Sequence, residues 1–210
     1  MPRPLRVTVL ILAATALTGC GSSTAARQQQ SPQSAGVRPC PTQAQWQHSQ
    51  PTTPPTGYQG TPANTPEAEE LSQAVGAQGR SAFVDVWGSL ITDYPVGRVA
   101  LCVTDLTRGR ALAAAAKKAD PKIDLNRLDL YRCRYSRQTL DGAIRRISAL
   151  GPTVLGFPLY TYSPVTDASG IQVVSTAQGA ASQALHDRLA RAAGDGIPVA
   201  LEQGESAVPA

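Results

Sequence analysis

The chain has 210 residues, of which 19 are Lys or Arg and 15 are Asp or Glu, so its formal net charge is +4 at pH 7. The cations are scattered along the sequence and form no stripe, which argues against a nucleic-acid-binding protein. Because only 5% of the residues are aromatic, the composition also argues against carbohydrate binding through stacked rings.

The first 20 residues have the pattern of a bacterial lipoprotein signal. Arg3 and Arg6 precede an apolar run over residues 7–17, and the tetrad Leu17-Thr18-Gly19-Cys20 resembles a lipobox. The run is about half as long as the ~20 residues of a membrane-spanning helix, so an uncleaved helix is a poorer interpretation, as is a secretory signal with an incidental cysteine. We predict a signal peptide over residues 1–19 and a diacylglycerol on the Cys20 thiol, which anchors the chain at the extracytoplasmic face of the cell membrane. Loss of the two arginines lowers the formal charge to +2.

Residues 20–64 are predicted to form a disordered spacer. They consist largely of Gln, Ser, Thr, Pro, Gly and Ala, which bury too little apolar surface to fold and have polyproline character. Such a segment lifts a domain away from the membrane. Cys40, Trp46 and Tyr58 interrupt the polar composition, which leaves open that part of the spacer docks on the domain.

A folded domain is predicted over residues 65–205, and it begins with a helix. Asn64 is an N-cap candidate, while Pro66 and Glu67 suit a first helical turn. Gly76 and Gly79 are expected to end this helix.

The hydrophobic periodicity and the turn residues predict the later elements. They are strands over residues 81–90 and 96–104, a helix over 107–119, a strand over 125–135, a helix over 138–150, strands over 154–162 and 170–175, a helix over 177–193 and a strand over 197–202.

The order of these elements repeats, with one unit over about residues 80–135 and another over 153–204. We therefore predict an α+β fold in which a duplicated β-β-α-β unit is joined by a helix. The expected architecture is one or two antiparallel-rich sheets with helices packed on one face, followed by a tail at residues 206–210.

Several segments resemble actinobacterial extracytoplasmic domains that look like the prodomains of streptogrisin and α-lytic type secreted serine proteases. They are Phe83-Val84-Asp85-Val86-Trp87, residues 97–105, residues 134–140, Gly170-Ile171-Gln172-Val173-Val174 and Gly196-Ile197-Pro198-Val199. In those prodomains a strand-turn-strand unit, a helix and a short strand occur twice. The resemblance implies that the C-terminal strand lies against a protein partner, as a prodomain lies against its protease. In the proteases a catalytic domain follows, whereas this sequence ends at Ala210.

No catalytic residue and no cofactor are predicted. His48 lies in the spacer, and His186 lies inside the last helix beside Asp187. A protease triad needs a nucleophile and a base within hydrogen-bond reach, and Ser182 is only a helical neighbour of His186. Asp85 is the least ordinary carboxylate, because it falls within a predicted strand. The sequence contains no phosphate-binding loop and no dinucleotide-binding fingerprint.

Three cysteines besides Cys20 allow one disulfide and one thiol, with three pairings open. A Cys102–Cys133 bond requires that the two strands be neighbours; otherwise Cys40 is the better partner for either and folds the spacer back. The remaining cysteine is expected to act as a small buried hydrophobe. No metal site is predicted, because the paired spacing of zinc ligands is missing.

These features predict a lipid-anchored envelope protein that binds or scaffolds another protein and is not an enzyme. The expected contact is the last strand, with Val199 and Leu201, and the expected partner is a secreted or envelope protein. The alternatives are an envelope enzyme that uses a carboxylate or His186, and a structural subunit of a lipoprotein assembly.

Overall fold

The computed structural model describes residues 37–46, 66–93, 97–194 and 196–205. Cys20, His48, the signal peptide and the tail lie outside these residues. The helices are α1 (Gln43–Trp46), α2 (Pro66–Arg80), α3 (Leu106–Ala119), α4 (Arg137–Ser148), α5 (Ala177–Ala180) and α6 (Gln183–Ala193). The strands are β1 (Trp87–Asp93), β2 (Arg98–Val103), β3 (Leu128–Arg132), β4 (Thr153–Val154), β5 (Phe157–Pro164), β6 (Ile171–Ser175) and β7 (Val199–Gln203).

The three strands of the first sheet and the last three strands of the second have the same connectivity, which confirms the predicted α+β duplication. In the first sheet, of order β1-β2-β3, β1 and β2 are antiparallel, and α3 then crosses over to bring β3 parallel to β2. In the second sheet, of order β4-β5-β6-β7, β5 and β6 are antiparallel, and α5 and α6 bring β7 parallel to β6. Each repeat is therefore a hairpin followed by a helical crossover.

The helix predicted as a connector, α4, has a counterpart in the first repeat. It contacts α6, and α2 likewise contacts α3. Each repeat is thus an α-β-β-α-β unit, one helix longer than the sequence predicts.

The strand β2 lies between two hydrophobic clusters. Val99, Leu101 and Val103 point into a cluster with α2 and α3, because alternate residues of a strand face opposite sides of the sheet. Ala100 and Cys102 point into a second cluster, which contains the core residues of α4, α6 and the second sheet. All five side chains are fully buried, so β2 forms the centre of the molecule.

The predicted end of the first helix is wrong. α2 continues through Gly76 and Gly79 to Arg80, and residues 81–86 form turns where a strand was expected, so Asp85 does not lie in a strand. Both glycines are buried, and a Cβ on Gly79 would lie 2.7 Å from Cγ of Trp87. The glycine therefore permits close approach of the Trp87 ring, and the helix continues at the cost of its low helix propensity.

Part of the predicted spacer docks on the first repeat. The Arg132 N–H donates to the Arg38 carbonyl oxygen at 2.9 Å, and the Cys40 N–H donates to the Arg132 carbonyl oxygen at 2.9 Å. Pro39 lies beside Arg132 in a parallel bridge. We call residues 38–40 the docked arm; they extend the first sheet beyond β3, so residues 37–46 belong to the folded part of the chain together with the predicted domain.

A disulfide joins the docked arm to the central strand. Cys40 and Cys102 are bonded, with their Cα atoms 5.5 Å apart. β2 and β3 are neighbours, as a Cys102–Cys133 bond would require, but Cys102 lies opposite Tyr131 in the register. Cys133 is a buried free thiol whose S–H donates to the Tyr135 carbonyl oxygen at 3.3 Å. Of the three pairings, the structure has Cys40–Cys102.

Candidate functional site

The last strand, β7, lies at an edge of the second sheet. In the described part of the chain, β6 is the strand that pairs with it. The Ile171 N–H donates to the Pro198 carbonyl oxygen, and the Gly204 N–H donates to the Ser175 carbonyl oxygen. Backbone groups alternate in direction along a strand, so those of residues 198, 200, 202 and 204 face β6. Those of Val199, Leu201 and Gln203 consequently point away from the sheet.

In both residues predicted for the binding strand, the backbone groups face the edge of the sheet while the side chain packs against the core. Val199 is 5% exposed and belongs to the core, and Leu201 packs against the same cluster. Ala200 and Glu202 are exposed on the opposite face of the strand. A partner at this edge would therefore meet the backbone of Val199 and Leu201 more than their side chains.

A groove of about 350 Å³ runs beside this edge. Its walls are β7 and the junction of α5 and α6, and we call it the β7 groove. Its lining residues are Ala180, Ala181, Ser182, Gln183, His186, Val199, Ala200 and Leu201.

The β7 groove exists because the helix predicted over residues 177–193 is interrupted. The Thr176 hydroxyl accepts a hydrogen bond from the Gly179 N–H and caps α5. The Ser182 hydroxyl accepts from the Leu185 N–H at 3.3 Å and caps α6. A second N-cap residue inside an apparent helix is the sequence signal that marks this break.

His186 lies in the β7 groove within a polar cluster on α6. Its Nδ1 lies 3.4 Å from Asp187 Oδ1 and 3.4 Å from Gln183 Nε2. The Gln183 amide donates to Asp187 Oδ1 at 2.7 Å, and this bond, together with that from His186, holds the pKa of Asp187 below its usual value. The Ser182 hydroxyl serves as a helix cap, so the cluster can hydrogen-bond a ligand but contains no assembled Ser–His pair.

Asp85, the other candidate carboxylate, lies in the first repeat. Its two oxygens accept from Nη1 and Nη2 of Arg108 at 2.6 and 3.0 Å. This paired geometry lowers the pKa of Asp85, and both side chains are about half exposed. The carboxylate is thus occupied by a surface ion pair.

Within the four described segments, no three His, Cys, Asp or Glu side chains are grouped so that they could hold a metal ion. The helices found there are also too short or too polar to cross a bilayer.

Comparisons with known proteins give no family for this chain. No protein-family model matches it, and no curated protein matches it. The resemblance to protease prodomains therefore stays a prediction.

Proposed function

We propose that the chain is a lipid-anchored extracytoplasmic lipoprotein whose domain binds an extended segment of a secreted or envelope protein along β7. The observation that carries the proposal is the contrast between two equivalent strands. β3 and β7 each end a repeat, lie at the edge of a sheet and run parallel to the preceding strand. The docked arm pairs with β3, so this fold accepts an added extended segment at that position.

The β7 edge offers the same kind of backbone groups. The N–H and C=O groups of Val199, Leu201 and Gln203 point away from β6, in position for the backbone of an added strand. Main-chain hydrogen bonds of this kind supply affinity, and pockets for alternate side chains supply specificity.

The lining of the β7 groove indicates which type of side chain the partner segment places in it. Ala180, Ala181 and Leu201 give the groove an apolar lining, and Gln183 and His186 give it a polar wall. The partner segment accordingly has an apolar side chain that enters the groove. The predicted anchor at Cys20 places the domain where secreted and envelope proteins are met.

Cross-linking in the native envelope tests whether a partner pairs with the edge of β7. A photoreactive phenylalanine analogue replaces Ala200, and Gln203 is changed to Pro or, as the matched control, to Ala. Proline removes the outward N–H of Gln203 and places its ring at the edge, while the β6–β7 bonds stay in place. We expect one defined cross-linked protein, with its yield about tenfold lower in Gln203→Pro and unchanged in Gln203→Ala.

A second pair of variants tests the groove. Ala181→Trp fills the groove, whereas Ala184→Trp places the same ring on an exposed position of α6 outside it. The first should abolish the cross-link and the second should not. Equal yields from Gln203→Pro and Gln203→Ala, together with no effect of Ala181→Trp, would reject β7 as the contact.

The anchor is tested separately. Metabolic labelling with radioactive palmitate should label the parent chain, and Cys20→Ser should abolish the label and release the protein from the membrane fraction. A labelled Cys20→Ser chain would contradict lipidation at this residue.

A further inference from the structure

A second cavity, distinct from the β7 groove, lies between the two repeats. Its volume is about 360 Å³, within the size range of small-molecule sites. It is bounded by α2, by the start of β1, by the first residue of α4 and by the turn that follows β5. We call it the inter-repeat cleft, and the residues that matter below are Ser72, Arg80, Trp87, Ser89, Arg137 and Thr166.

The inter-repeat cleft is positively charged. Arg80 and Arg137 line it, and none of the described lining residues is a carboxylate. In the described segments no carboxylate lies within ion-pairing distance of Arg80. Arg137 donates from Nε to Asp141 Oδ1 at 2.8 Å, which leaves both of its Nη groups without a protein acceptor among the described residues. Two guanidinium groups with spare donors therefore face one cavity.

The exposed side chain of Arg80 lies close to Gly76 and to the Trp87 ring. Its side chain folds back along α2, where a Cβ on Gly76 would lie 2.9 Å from Nη1. The guanidinium lies 5.9 Å from the centre of the Trp87 ring, within reach of a cation–π interaction. Arg80 thus lies over the indole at the mouth of the cleft.

Trp87 contributes to the apolar part of the cleft wall. The residue is 6% exposed, and its indole Nε1–H has no acceptor among the residues that the structure describes. The indole is therefore almost entirely enclosed by protein, and the small exposed part of the residue borders the cleft.

The walls of the cleft are joined before any ligand arrives. The Ser89 hydroxyl donates to the Thr166 carbonyl oxygen at 2.6 Å, which links β1 of the first repeat to the turn of the second. A preformed cavity loses less entropy on binding than one that must close.

We propose that the inter-repeat cleft binds a small organic anion, namely a carboxylate attached to a flat apolar body. Guanidinium groups bind carboxylates through paired, charge-assisted hydrogen bonds. The flat body packs against Trp87. This ligand site is independent of the contact proposed along β7.

Benzoate is the probe, and Trp87 fluorescence is the readout. Trp46→Phe makes Trp87 the only tryptophan of the full chain, which contains two. We expect a saturable fluorescence change with benzoate in the millimolar range or below, as suits so small a ligand, and none with benzyl alcohol, which has the ring without the charge.

The arginines supply the decisive variants. Arg80→Gln and Arg137→Gln should each weaken benzoate binding by about tenfold, and Arg110→Gln, an exposed arginine of α3 outside the cleft, should not. Ser72→Phe fills the cleft with both arginines intact and without a second tryptophan, and it should abolish binding. The proposal is overturned if no saturable response occurs, if benzyl alcohol matches benzoate, or if the two cleft arginine variants bind as the parent does.

Discussion

The edges of the two sheets differ although the repeats that form them are alike. At β3, the backbone N–H and C=O of Arg132 both form hydrogen bonds with the docked arm, and a disulfide fixes the arm to β2. At β7, the outward backbone groups of Val199 and Leu201 have no added strand within the described residues. Exposed edges invite pairing with other chains, so natural proteins usually cover them. One repeat is therefore closed by its own chain, whereas the other has no such cover among the described residues.

The two sheets also differ in how many of their faces are buried. The first sheet is buried on both faces, as the full burial of both Leu101 and Cys102 indicates. The second sheet buries Ile171 and Val173 on one face, whereas Thr161 and Ala200 on the other are exposed. The first repeat thus forms the interior, and the second repeat presents a surface.

The largest expected effect comes from opening the closed edge. Cys40→Ala removes a disulfide between residues 62 apart, and we expect the free energy of unfolding to fall by about 4 kcal/mol in urea titrations. Hydrogen exchange at the Arg132 N–H should accelerate toward that at Leu201, because the docked arm then dissociates. The parent chain in reducing buffer is the control and should match the variant. An unchanged free energy of unfolding would contradict the stabilising role of the disulfide.

A smaller effect separates the packing of the two repeats. Gly79→Ala forces a methyl group against Trp87, and we expect a loss of about 2 kcal/mol of unfolding free energy. The matched change is Gly142→Ala in α4, where the nearest atoms to the new Cβ are 3.7 Å away at Arg146 Nη1. There the helix propensity of alanine should add about 0.5–1 kcal/mol. Equal effects of the two changes would contradict the tight contact at Gly79.

An effect confined to alkaline pH concerns the thiol of Cys133. Burial raises the pKa of Cys133 to about 12, so the folded state holds this proton more tightly than the unfolded chain, whose thiol has a pKa of 9.0. Its contribution to stability is complete below about pH 9 and falls by about 1.4 kcal/mol per pH unit between the two pKa values. Cys133→Ala should lack this component of the alkaline decline.

Alkylation gives an independent measure of the same thiol. Iodoacetamide at pH 8 should leave Cys133 unmodified in the folded chain and modify it after unfolding, because the thiolate is the reactive form. Rapid modification of the folded chain would contradict its burial.

The repeated order of elements could be predicted because local signals suffice for it. Leu140 and Ile147 lie at helical spacing, and the alternation of Val99, Leu101 and Val103 marks a strand with one apolar face. The predicted ends of helices and strands were less accurate where tertiary contacts determine them. Gly79 reads as a helix stop, yet the ring of Trp87, eight residues later, makes it a packing position.

For the candidate site, the sequence predicts that Val199 and Leu201 lie in a strand, but not where that strand lies in the sheet. The apolar alternation of Val199 and Leu201 indicates β structure, but their position at an edge follows from strand order, which periodicity does not encode. Docking of residues 38–40 depends on backbone hydrogen bonds and on the disulfide through Cys40, whose partner composition does not reveal, so composition alone favours a spacer. The inter-repeat cleft joins Arg80 and Arg137 from different repeats, a proximity that only the fold creates.

The bond between Cys40 and Cys102 also determines how the domain carries mechanical load. A pull on the chain N-terminal to Cys40 passes through the disulfide directly into β2, the fully buried strand at the centre of the molecule. Residues 41–101, including α2 and β1, are bypassed and bear no tension. In a domain tethered at Cys20, the pull would therefore act on the central strand β2, and α2, which lines the inter-repeat cleft, would bear none of it.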